Sequence, residues 1–101
     1  MAQSNIKHVD DYRNIMNSYD VSKNISNARI TRYEKSEIMG ARVTQLANGA
    51  PPMVVIKPDE QVSVRDIAQR EYAEGVIPYI IERRIGADHV EYWKFRDLIR
   101  D

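Results

Sequence analysis

The sequence predicts an α+β domain, a small core of two main helices packed beside a short antiparallel sheet. Three observations carry this prediction. Two S/T-x-x-D/E capping patterns each open a stretch with helical spacing of apolar residues. An isoleucine-rich run that admits a proline only at its start ends in a tight Gly-containing turn and a return strand. With 101 residues there is room for one core and not for two.

The first helix opens at Thr31, where the hydroxyl is placed to accept from the amide of Glu34 and the Glu34 carboxylate to reach back to the cap. Gly49, followed by Ala50-Pro51-Pro52, supplies a left-handed residue and then a stop, so the helix ends near Asn48. Met53 to Ile56 reads as a strand or extended segment, closed by a Lys57-Pro58-Asp59 turn. Ser63 and Asp66 repeat the capping pattern, and Val64, Ile67, Ala68 and Tyr72 form one stripe that stops at Gly75. Ile77 to Ile85 is a strand that admits Pro78 at its beginning, where a ladder donor is dispensable. Gly86-Ala87-Asp88 turns the chain into a return strand over His89 to Trp93, and Phe95 to Ile99 closes as a short helix or extended tail. Residues 1–29 are polar and asparagine-rich and are expected to be a mostly flexible segment ahead of the domain at 30–101. Within them Asp10 is placed to cap a short helix with the stripe Tyr12, Ile15, Met16 and Tyr19.

Composition excludes several classes of function. Fifteen basic and fifteen acidic residues give no net charge, and the balance is even along the chain, which argues against autonomous nucleic-acid binding. The longest apolar runs are too short to cross a membrane and the N-terminus lacks a signal peptide's apolar stretch, so a soluble intracellular protein is expected. Cysteine is absent, which removes disulfides and thiolate metal sites. A core this small gains from a partner that covers part of it. His8 and His89 are expected in solvent, Asp10-Asp11 belongs to a helix start, and the four glycines form no phosphate loop. No catalytic residue, cofactor or metal is expected.

Two features of the helices point to contacts. On the first helix Ser36, Met39, Gly40, Val43, Leu46 and Ala47 lie on one side and Ile38, Ala41, Arg42 and Gln45 on roughly the other. Such a helix is either buried centrally or presents a face to a partner, and Gly40, unfavourable inside a helix, fits close approach of another segment. On the second helix Glu71 falls beside Ile67, Ala68 and Tyr72, where an isolated carboxylate is unfavourable. It is expected either to pair with Arg42, Arg83 or Arg84 or to reach water from the edge of the stripe.

The ordered blocks Ile30-Thr31-Arg32-Tyr33-Glu34-Lys35, Met39-Gly40-Ala41-Arg42, Gln45-Leu46-Ala47 and Gly49-Ala50-Pro51 resemble the omega-type subunits of multisubunit DNA-dependent RNA polymerases. The later residues Ile67-Ala68, Glu71, Gly75, Ile77-Pro78, Ile81, Arg83-Arg84, Glu91 and Trp93 resemble the archaeal K subunit and the sixth common eukaryotic subunit in the same order. The resemblance implies an omega-like, non-catalytic subunit that clamps the largest polymerase subunit and aids its assembly, meets nucleic acid only through the complex, binds no small-molecule substrate and acts where transcription takes place. The interface residues it implies are Tyr33, Glu34, Gly40, Arg42, Gln45, Pro51, Glu71, Pro78, Arg83 and Arg84. The alternative is a transcription-associated interaction module outside the polymerase core. The N-terminus is not the acidic tail of eukaryotic relatives, Lys57 to Gln61 is a different loop, and Gly86-Ala87-Asp88 replaces a proline and glycine turn. These departures point to an archaeal or large-DNA-virus homologue.

Overall fold

The computed structural model describes residues 3–8 and 21–100, so the helix expected around Asp10 lies outside the described residues. Strand β1 (Gln3–His8) precedes a single 3-10 turn at Val21–Lys23. Helices α1 (Arg32–Ala47) and α2 (Val64–Glu74) follow, then strands β2 (Tyr79–Ile85) and β3 (His89–Lys94) and a closing 3-10 turn at Phe95–Asp97. The sheet is antiparallel with β2 between β1 and β3, so the expected hairpin gains a third strand from the N-terminus.

Local sequence explains the helix ends. Both capping boxes form: Thr31 and Glu34 bond reciprocally, as do Ser63 and Asp66. Gly75 closes α2 with φ 73°, a left-handed value that side chains rarely adopt. The hairpin turn uses Gly86 at φ 74° for the same reason.

Two apolar clusters form the core. The larger joins Ile38 of α1 and Tyr72 of α2 to Tyr79, Ile81, Trp93, Phe95 and Leu98. In register, Ile81 faces Ile6 on one side and Trp93 on the other, so one row of side chains crosses the sheet under the helices. Full burial of each such side chain contributes about 1.5–3 kcal/mol. The smaller cluster packs Leu46 against Ile67 and Ala68.

The segment after α1 is extended without being a strand. Val54 and Ile56 pack on the smaller cluster while Val55 is 91% exposed, so the side chains alternate, but among the described residues no ladder partner is present. Alternation reports which side faces the core; ladder pairing also needs a neighbouring strand.

Hydrogen bonds tie residues before Ile30 to the C-terminal part of the chain. Ile30 donates to the carbonyl of Ile99 and Ile99 to that of Ala28, tying the chain before α1 to the C-terminal segment. Asn24 donates from its side chain to the Tyr92 carbonyl. These ties are polar, and an estimate from apolar content alone does not register them.

Candidate functional site

Three buried charged nodes hold the elements together. At the first, Arg42 of α1 meets Glu71 of α2 in a two-point contact, Nε to Oε1 at 2.5 Å and Nη2 to Oε2 at 2.8 Å. The side chains are 2% and 0% exposed. Arg42 also donates to the Pro51 carbonyl and the Gln45 side chain, and Glu71 Oε2 accepts from the Met53 amide at 2.8 Å. One ion pair thus fixes the angle between the helices and the course of the chain between them. The pairing expected for Glu71 is present, and of the three candidate arginines it is Arg42.

The second node joins α1 to the sheet. Arg83 of β2 donates from Nε and Nη2 to the two oxygens of Glu34, each at 2.8 Å. Glu34 Oε1 simultaneously accepts from the Thr31 amide, so the capping glutamate of α1 is also the counter-ion of β2. Arg83 further donates to the carbonyls of Asn27 and Arg29 and to Ser26 Oγ, and its guanidinium lies 5.6 Å from the Trp93 ring centre. The segment before α1 is thereby stitched to the sheet.

The third node is Glu91 on β3, whose side chain is 1% exposed. Burial works against its ionised form. The Ile25 amide, the Ser26 hydroxyl, His89 and the Ser26 amide together outweigh burial and bring its carboxyl down to about 2. Ser26 Oγ connects this node to the second: it donates to Glu91 Oε1 at 2.5 Å and accepts from Arg83 Nη1 and Trp93 Nε1, both at 3.1 Å.

The ten residues expected at an interface separate into two groups. Glu34, Arg42, Glu71 and Arg83 are at most 4% exposed and lie inside the fold. Each is surrounded by donors or acceptors of its own chain. Tyr33, Gly40, Pro51 and Arg84 are exposed, with Gln45 and Pro78 half-buried. Arg84 makes a 3.9 Å contact to Glu82 at the surface and has no part in the Glu71 pair.

Helix α1 has one face inward and one outward. Ile38 and Arg42 point into the domain, while Tyr33, Ser36, Gly40, Thr44 and Ala47 are exposed at helical spacing. Among the described residues a Cβ placed on Gly40 meets nothing within 4 Å, so no described segment of this chain makes the close approach expected there.

Ser26 and Glu91 were absent from the expected site. Glu91 carried a signal, because it alternates with Trp93 on β3 and so shares the buried face, where a carboxylate requires donors. Ser26 carried none, since its three partners lie far along the chain. Among the described residues no group of histidine, cysteine or carboxylate side chains is arranged to hold a metal ion.

The fold and its nodes define a class: a small α+β domain whose buried charges serve its own architecture and whose first helix turns small residues and a tyrosine outward. The family can be given directly. Residues 24–79, more than half of the chain, match the family model described as RNA polymerase Rpb6, and the chain belongs to that family. The chain is 42% identical over 57 residues to "DNA-directed RNA polymerase subunit Rpo6" of Saccharolobus solfataricus, covering 56% of this chain and 60% of that protein. It is 42% identical over 71 residues to the protein of the same name from Pyrobaculum aerophilum, covering 70% of this chain and 67% of the relative. A similarity of 30% over 77 residues extends to "Probable DNA-directed RNA polymerases I, II, and III subunit RPABC2" of Caenorhabditis briggsae. The chain thus spans about 60% of the length of the Saccharolobus relative it matches.

Proposed function

We propose that this protein is a non-catalytic subunit of a DNA-directed RNA polymerase that binds the largest subunit, stabilises it and promotes assembly of the enzyme where transcription takes place. The observation that carries this reading is the coincidence of the family match with the framework: Glu34, Arg42 and Glu71 all fall within residues 24–79. The residues that shape the helix pair are therefore in the stretch shared with polymerase subunits. The outward face of α1, with Tyr33 62% exposed and Gly40 open, is the surface assigned to the partner, together with Pro51 and Arg84. Glu34, Arg42, Glu71 and Arg83 contribute indirectly by holding that face in place. Nucleic acid is met only through the complex.

Affinity purification of the full chain from its native source tests this. A polymerase largest subunit should be recovered at one copy per copy of this chain and should survive a high-salt wash. Recovery of substoichiometric, salt-labile polymerase would instead mark an interaction module outside the core.

A further inference from the structure

We infer that the extended segment at residues 53–56 is a strand-addition site, where one extended segment of the polymerase's largest subunit pairs with it edge to edge. This rests on the assembly role proposed above and names how part of the contact is made. The segment is uncharged and lies between Pro52 and Lys57-Pro58. Its inner side is held: Val54 and Ile56 pack on the cluster of Leu46, Ile67 and Ala68, and the Met53 amide donates to the buried Glu71 carboxylate at 2.8 Å. Its far end is held as well, since Glu60 bonds both the amide and the carbonyl of Lys57. Between these ties, among the described residues, the amides and carbonyls of Val54, Val55 and Ile56 meet no hydrogen-bond partner. Val55 is 91% exposed and Met53 52%, so backbone and side chain alike are open at the middle of the segment. A held, extended stretch with apolar side chains outward and unpaired backbone groups is what a sheet edge offers to an incoming strand. Because the stretch is already ordered, its ordering does not count against association.

These features select the occupant. Successive backbone donors and acceptors are matched by another extended polypeptide, and Val55 adds a β-branched side chain that a residue on the neighbouring strand covers. A nucleic acid fits poorly, because residues 52–56 carry no cation to meet phosphate and no aromatic ring to stack a base. A second copy of this chain fits poorly by area: three open residues facing three others bury far less than the ~1,200 Å² at which specific, stable interfaces begin. The same three residues suffice as one part of a larger contact. Position supplies that contact. The Arg42 guanidinium that binds Glu71 also donates to the Pro51 carbonyl at 3.0 Å, so the segment is set beside α1, whose outward face is assigned with Pro51 to the largest subunit. Residues 53–56 also lie within residues 24–79, the stretch shared with the polymerase family.

Residue-resolved hydrogen exchange tests the proposal, measured on the full chain alone and in the complex purified with the largest subunit. The amides of residues 54–56 should exchange freely in the isolated chain and slow by roughly tenfold or more in the complex. Val55→Pro removes a donor that the chain itself does not use. The isolated variant should therefore keep its Tm, while in competition with the natural chain its recovery of the largest subunit should fall by roughly tenfold. Val55→Lys, at the same exposed position and without the backbone restriction, should lower recovery too and serves where the proline variant melts early. Unchanged exchange at 54–56 within a one-to-one complex, or undiminished recovery by the folded variants, would overturn strand addition and leave the assembly role standing. Absence of the largest subunit from the purified material would refute the assembly role itself and this occupant with it. Self-association of the chain that Val55→Pro abolishes would assign the segment to a second copy and likewise overturn the proposal.

Discussion

Replacing Glu71 with glutamine removes one charge from a pair that has almost no access to water, and the structure sets the size of the effect. Glu71 accepts from Arg42 at two atoms and from the Met53 amide, so its two oxygens serve three donors. A glutamine keeps the shape and offers one oxygen, and its amide nitrogen must then face an Arg42 nitrogen or the Met53 amide, donor against donor. The Arg42 charge, 2% exposed, is left without its counter-ion. Breaking a buried pair in this way costs about 3–5 kcal/mol, against about 0–1 kcal/mol for an exposed pair. In a domain of this size that corresponds to a fall in Tm of roughly 12 °C or more. Urea denaturation of the full chain measures it, and a double-mutant cycle with Arg42→Met isolates the coupling. A loss below about 1 kcal/mol, or coupling near zero, would refute the view that this pair fixes the two helices.

The remaining expectations concern α1 and the third node. Gly40→Leu should leave the isolated chain as stable or raise stability by up to about 1 kcal/mol, because leucine is the better helix former and nothing among the described residues lies within 4 Å. The same change should reduce recovery of the largest subunit in a pull-down. Ser26→Ala removes a hydroxyl that serves Glu91, Arg83 and Trp93, and should destabilise by about 1–3 kcal/mol in thermal or chemical melts. Glu91 has its carboxyl lowered from 4.5 to about 2 in the fold, so its contribution is present above pH 4.5 and is lost as pH falls toward 2. Tm measured across that window should decline more steeply for the natural chain than for Glu91→Gln.

Local chemistry determined much of this protein before any long-range contact is made. Both capping boxes and the stops at Gly49 and Gly75 act within one turn of the chain, so residues a few positions apart specify them. The hairpin around Gly86 follows from a glycine turn flanked by two strand-like runs. The requirement that Glu71 find a cation was also present, because a carboxylate on an apolar helical stripe is unfavourable wherever the helix packs. The identity of that cation was not. Arg42, Arg83 and Arg84 are equivalent by charge, and the separation between Glu71 and its partner is bridged only when α1 lies against α2. Arg83 went instead to Glu34, 49 positions away, and Ser26 joined Glu91 at a separation of 65. β1 entered the sheet from a segment with little apolar character, since β2 offered backbone partners whatever the side chains. Gly40 shows the opposite case, a residue with a readable packing signal that the domain alone leaves open. Short-range hydrogen bonds and periodicity are encoded in neighbouring residues and were therefore readable. Long-range charge pairing depends on distances that exist only after the core has brought the elements together, so tertiary structure alone decided it.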